Sequence, residues 1–372
     1  MKQMLVLFVA LPLFFIFQNQ PNDRLRGTWT SRMNEDKKSL NLNIQYSNDD
    51  SFWNNSFDLP ADQFTGLTTK NLAGASVDQT FTLVRDAGTI TFTGKFVDGD
   101  GAGHYEFEPN AGYKKSLVSL GFAEPDDEDM FSLALHGVSI AYVKEMKSFG
   151  FKHFTIDDVV SMAIHDVTPD YIKGLNKYGY ETLSVDDLVS MSIHDVTLEF
   201  VDGLTKLGYD NLTSDDLVSM RIHGASVKYI KQLKDLGYAH LSADDIVSML
   251  IHEVTVEFIA GLDSLGYKHI SPDDLVSMTI HDVDEDYLRD LAALGFDGLS
   301  PDDLVSMRIH NVTTDYIKGL SDLGLKNLSA DDLVSMSIHG VTVKWVKRLL
   351  DDGYKHLSAD RLVDMRIHGS DE

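Results

Sequence analysis

The chain has no cysteine in its 372 residues. Disulfides, thiol nucleophiles, thiolate metal sites and cysteine lipidation are thereby excluded. Basic residues are scarce too: 32 Lys and Arg stand against 58 Asp and Glu, a formal net charge of −26. The deficit is uneven. Residues 1–113 carry 9 basic and 13 acidic side chains, whereas residues 114–372 carry 23 and 45. A surface that acidic repels phosphate backbones, so nucleic acid is not an expected partner. After Phe17 there is no second long apolar run. Catalytic signatures are missing as well: no G-x-S-x-G, no P-loop and no dinucleotide fingerprint occurs. No cofactor is expected.

The N-terminus reads MKQMLVLFVALPLFFIFQNQ, with an apolar run of 14 residues from Met4 to Phe17. That is short for a membrane span and has the length of a signal-peptide core. Pro12 within the run suits a signal better than a stable anchor. The small-x-small cleavage pattern is missing around Phe17–Gln20, which leaves an uncleaved tether as the alternative. Residues 1–20 are thus expected to export the chain to the periplasm or cell envelope, with secretion the further option. Any membrane contact would come through this segment alone.

Over residues 24–110 the hydrophobic period is two. SLNLNIQYS (Ser39–Ser47) places Leu40, Leu42, Ile44 and Tyr46 on one face, and Thr80–Asn110 contains three such runs split by Gly- and Asp-rich turns. This pattern predicts antiparallel hairpins burying Phe81, Leu83, Ile90, Phe92, Tyr105 and Phe107. The Asp98-Gly-Asp100-Gly101 stretch has the start of a calcium loop, but Pro109 stands where the twelfth-position Glu is required. It is better read as a hairpin turn.

Beyond residue 110 the period lengthens. Histidines at 136, 165, 194, 223, 252, 281, 310, 339 and 368 are each 29 residues apart, and so are the glycines from Gly121 to Gly353. Nine tandem units without insertion signal a stacked array. One unit predicts two helices. Thr197 caps the first, Phe200, Val201, Leu204 and Leu207 form its apolar stripe, and Gly208 ends it in a left-handed turn. Thr213 caps the second, Leu217, Val218, Met220 and Ile222 supply its apolar face, and His223 followed by Gly224 closes it. Isolated helices this short are unstable, so they must stack on their neighbours. The expected fold is α+β and multidomain: a small antiparallel β domain, then an α-helical solenoid of nine helical hairpins over 111–372.

Three features imitate active sites. Acidic pairs such as Asp215/Asp216 recur in seven units, whereas catalytic carboxylates occur once and need unequal environments. Behind a Ser or Thr, as from Ser184 to Asp187, they read as capping boxes with Asp in the Glu position. The histidine ladder would bind metal only if ligands converged on one ion at about 2 Å. Neighbouring units lie roughly a helix diameter, about 10 Å, apart, so these histidines read as helix-terminal groups. A collective charge change on protonation is the alternative. His252-Glu253 begins an H-E-x-x-H motif that Val256 breaks.

Against this uniform framework two positions vary. One lies two before each histidine and holds Arg221, Leu250, Arg308 and Arg366, among others; the other lies in the loop after each glycine and includes His153, His240 and His269. These are the candidate contacts for a protein or peptide partner, set against simple drift at unconstrained surface positions. In the last unit Arg361 replaces the second Asp and Asp364 the usual Ser, as suits a polar terminal cap.

The repeat, with L-V-S-M-R-I-H-G and Y-I-K-x-L-x-x-L-G-Y, resembles repeats attached to BlaR1-type (M56) membrane metallopeptidases and found in related exported proteins. Val84–Asn110 resembles the β segment that precedes them there. The peptidase part, with its membrane helices and H-E-x-x-H, is absent. The resemblance implies an accessory or sensing ectodomain without the enzyme. The expectation is a non-enzymatic, exported interaction scaffold. The alternative is an envelope sensor that takes a ligand through its β domain.

Overall fold

A computed structural model describes residues 25–34, 38–47, 52–67, 72 and 76–369. The expected export segment, residues 1–20, lies outside these. The described chain comprises a seven-stranded antiparallel curled sheet followed by 18 helices in a repeated arrangement. It divides after Pro169 into two compact units.

In the first unit the strands are β1 (Arg26–Met33), β2 (Ser39–Ser47), β3 (Phe52–Pro60), β4 (Phe64–Thr65), β5 (Val77–Arg85), β6 (Gly88–Val97) and β7 (Asp100–Pro109). Their order across the sheet is β3-β2-β1-β7-β6-β5-β4. Border strands β3 and β4 are joined by only the three residues Ala61–Gln63. So short a link spans roughly 14 Å at most, which obliges the sheet to curl. The β6–β7 hairpin turns on Asp98 (φ 50°) and Gly99 (φ 91°), the positive pair that a two-residue hairpin needs. It is the turn expected from the sequence.

All six aromatic and aliphatic side chains predicted to face inward between Phe81 and Phe107 are buried, as are Leu40, Leu42 and Ile44. Phe81 and Phe92 stack at 5.0 Å, with the Trp29 ring edge-on to Phe81 at 5.3 Å. Trp29 lies over Gly94, where any added Cβ would stand 2.7 Å from its ring and 2.2 Å from the Ala102 carbonyl. Glycine here makes room for the indole.

Four helices belong to the same unit: α1 (Ala111–Ser119), α2 (Asp127–Leu135), α3 (Ile140–Ser148) and α4 (Ile156–Ile164). Phe131 of α2 stacks on Tyr105 at 5.3 Å and meets Phe107 edge-on at 5.2 Å. One core therefore runs from Leu25 through the sheet to Val160. The first two helical hairpins share it with the sheet, so compactness divides the chain at 169 rather than at the change of period near 110.

The second unit holds the following helices: α5 (Pro169–Asn176, all but its first residue), α6 (Val185–Ile193), α7 (Leu198–Leu207), α8 (Ser214–Ile222), α9 (Val227–Asp235), α10 (Ala243–Ile251), α11 (Val256–Ser264), α12 (Pro272–Ile280), α13 (Glu285–Ala293), α14 (Pro301–Ile309), α15 (Thr314–Asp322), α16 (Ala330–Ile338), α17 (Val343–Asp351) and α18 (Ala359–His368). From α6 onward even-numbered helices pack on even-numbered ones, and from α7 odd on odd, forming two rows.

Each helix begins and ends as its sequence dictates. The Thr213 hydroxyl accepts from the Asp216 N–H at 3.1 Å, while the Thr213 N–H donates to the Asp216 carboxylate at 2.8 Å. The same capping box closes α4, α6, α10, α14 and α16. Gly208 has φ 96°, and the Tyr209 N–H reaches back to the Leu204 carbonyl at 3.0 Å. His223 caps α8, Gly224 has φ 78°, and the Ala225 N–H donates to Met220 O at 2.8 Å. These 6→1 bonds satisfy carbonyls that a short helix would otherwise strand.

Candidate interaction surfaces

The arginines at the variable position are engaged inside the stack. Arg221 lies 5.1 Å over the Phe200 ring, Arg308 4.6 Å over Tyr287, and Arg366 5.0 Å over Trp345. Arg221 also donates to Asp195 O at 2.9 Å and ion-pairs with the Asp195 carboxylate. Arg308 donates to His281 O at 3.2 Å, and Arg366 to His339 O at 3.4 Å. Each guanidinium fastens its helix to the preceding even-numbered one. Leu250 has no such group and is half-buried in a small groove of about 270 Å³ beside Tyr229, Gln232 and Val256.

His153, His240 and His269 are exposed in the loops. Their position has a conformational task that the sequence reading missed. His153 (φ 54°), His269 (φ 57°), Gly298 (φ 68°), Asn327 (φ 60°) and His356 (φ 57°) are all left-handed there. Asn, Gly and His tolerate this region best, so in these five copies the side chain suits the turn. Thr182, Asn211 and His240 hold the same place without a left-handed backbone. The helix-capping histidines do not converge. Among the described residues no group of three or more His, Asp or Glu could hold a metal ion. His339 places Nδ1 2.8 Å from Ser335 O at the helix end.

Ile222 departs from its expected place. It is not part of the buried face: it is 54% exposed, while Leu217 and Met220 are buried. At 100° per residue it lies about 140° around the helix from Leu217 and 160° from Met220, on the outer side. The same holds in every copy of the second unit. Ile193, Ile222, Ile251, Ile280, Ile309, Ile338 and Ile367 are 49–55% exposed. Scattered surface apolar residues need no explanation, but an aligned row of seven does. Seven residues before each stands an exposed Asp, from Asp186 to Asp360. Two helical turns, about 10 Å, separate these two positions, and they share a face. The even row thus carries an apolar ladder and a parallel acidic one. The sequence contained the signal, an isoleucine kept at one position while its neighbour varied.

A different surface occurs in the first unit. A cleft of about 870 Å³ opens along the free edge of β3, lined among others by Phe57, Asp58, Gln63, Arg85, His136 and Asp166. Arg85 donates through Nη2 to the Gln63 amide oxygen, and its buried Nε has no hydrogen-bond partner. Burial pushes the Arg85 guanidinium below its ordinary range, and Arg85 makes no ion pair among the described residues. His136 stands edge-on to Phe57 at 5.4 Å, and burial lowers its pKa.

No helix among the described residues is long and apolar enough to cross a membrane. No known protein-family profile matches the chain, and no curated protein matches it.

Proposed function

We propose that the chain is a non-enzymatic, exported interaction scaffold that binds a protein or peptide partner along the even-numbered helices. The observation that carries this reading is the ladder of seven exposed isoleucines. Each costs the fold little if replaced, yet all stand in one register on consecutively packed helices. An acidic, apolar-striped face assembled from repeats suits a long partner better than a small molecule. The kinship with repeats of BlaR1-type peptidases belongs to the same proposal, and so does export through residues 1–20.

Photo-crosslinkable residues at Ile222, Ile280 and Ile338 test it. The expected outcome is that all three capture the same partner, in an envelope fraction. Capture from none of them, with crosslinks from the β3 edge instead, would transfer the function to the sheet. That second reading, an envelope sensor, is favoured by one feature: the buried, unpaired Nε of Arg85 in the β3 cleft. Its ligand would bind the isolated residues 25–169 with no contribution from the second unit.

A further inference from the structure

We infer that the ladder face accepts a cationic amphipathic α-helix. The inference rests on the scaffold reading and supplies its partner's chemistry. Successive even-numbered helices pack on one another, at the 8–10 Å spacing typical of helix pairs, so the isoleucine rungs recur at about that interval. An α-helix presents the same face every seven residues, about 10.5 Å. A β-strand repeats its face every ~6.8 Å and falls out of step within two or three rungs. Polyproline II repeats at ~9.3 Å, but such a chain is too narrow to cover the apolar rungs and also reach the acidic ones. A helix 10–12 Å across does both.

Charge selects the flanking residues. Asp215, Asp244, Asp273, Asp302 and Asp331 are exposed on this face, and residues 170–372 contain 36 acidic against 18 basic side chains. Arg221, Arg308 and Arg366, each one residue before a ladder isoleucine, are folded back onto Phe200, Tyr287 and Trp345. Glu253 and Asp282 add negative charge beyond the other flank of the ladder, where both are exposed. A second copy of the chain would oppose one acidic ladder to another, and an anionic membrane would be repelled. Lys or Arg beside a leucine seam matches both ladders at once.

The test uses the full chain and two labelled three-heptad peptides, one with leucines on one face and lysines beside them, the other with glutamates for the lysines. The lysine peptide is expected to bind in an anisotropy titration and to weaken roughly tenfold between about 50 and about 300 mM salt. The triple variant Ile251→Ser, Ile280→Ser, Ile309→Ser should weaken binding at least roughly tenfold with an unchanged circular dichroism spectrum. The set Asp244→Asn, Asp273→Asn, Asp302→Asn should weaken it and flatten the salt dependence. Failure of the lysine peptide to bind overturns the inference. So does undiminished binding to the isoleucine variant, which would mean adhesion to an acidic surface only. Equal binding of both peptides that is lost in the isoleucine variant overturns the cationic chemistry and leaves the scaffold standing. The scaffold itself falls by the crosslinking result, which uses no designed peptide.

Discussion

In several repeats the carbonyl just beyond an even-numbered helix is capped by a tyrosine of the preceding odd-numbered helix, and in one repeat an arginine takes that task. Tyr171 donates its hydroxyl to Val196 O at 2.7 Å, Tyr229 to Val254 O at 2.8 Å and Tyr316 to Val341 O at 2.8 Å. Phe200 holds the equivalent place and has no hydroxyl. There Arg221 Nη1 donates to Ala225 O at 3.3 Å, from above the Phe200 ring. Arg221→Ala should cost about 1–2 kcal/mol, the loss of a charge-assisted bond and the stranding of a half-buried carbonyl. Phe200→Tyr in the same background should recover part of that, because its hydroxyl would reach Ala225 O. Denaturant titration of the four-member cycle measures the coupling; full additivity would show that the two groups do not share one task. Gly208 offers a second residue-level measurement. No atom lies within 4 Å of an added Cβ there, so only its φ of 96° resists substitution. Gly208→Ala should therefore cost about 1 kcal/mol, and Gly208→Val more, in the same titration. Of these two, only the glycine was readable in the sequence, where Arg221 stands as a candidate partner contact. The exposure of Ile222 was not, because hydrophobicity reports what a side chain prefers and only helical angle reports where it points.

At the scale of elements, the helices were legible because each carries its own start and stop. Thr213, Asp216 and His223 fix α8 within one residue, whatever it packs on. The strands were less so. β2 and β5–β7 alternate plainly, but β1 has only Trp29 and Ser31 buried, with Gly27 facing Tyr105. On its inner face Gly27 leaves space for Tyr105 and Ser31 follows Trp29, and such small residues do not register as an apolar period. The links between odd-numbered helices and the following hairpin also predict a pH response. Burial pushes Tyr229, Tyr287 and Tyr316 up to about 12, and raises Tyr142 and Tyr171 as well. A pKa higher in the folded state favours the neutral phenol there. The stability it gives is complete below the unfolded value near 10 and is lost as pH rises through about 12. A midpoint that falls steeply between about pH 10 and 12 is expected by circular dichroism. Tyr229→Phe, Tyr287→Phe and Tyr316→Phe together should be less stable at neutral pH yet show a shallower alkaline decline. An unaltered slope would assign the loss to other groups.

For the whole molecule the question is whether the period of 29 is a working unit or only a record of duplication. Within residues 170–372 the contacts join each helix to its row neighbours, which favours working units. Excising Thr197–Ala225 removes α7 and α8 together and joins Val196 to Ser226, already a helix N-cap. Val227 would then face Gly174, as it now faces Gly203 and as Leu198 faces Gly174. Every later helix keeps its row. The shortened chain should fold with unchanged ellipticity per residue and a thermal midpoint within a few degrees. Excising Thr197–Asn211 removes α7 alone. Phe200, Val201 and Leu204 leave the core with nothing in their place, and α8 follows α6 with no odd-row helix between them. At about 1.5–3 kcal/mol for each buried side chain, that gap exceeds what one repeat can offset. The smaller deletion should therefore lose helicity and melt well below the larger. If the two melt alike, the second unit unfolds as one cooperative globule, and its repeats are no more than ancestry.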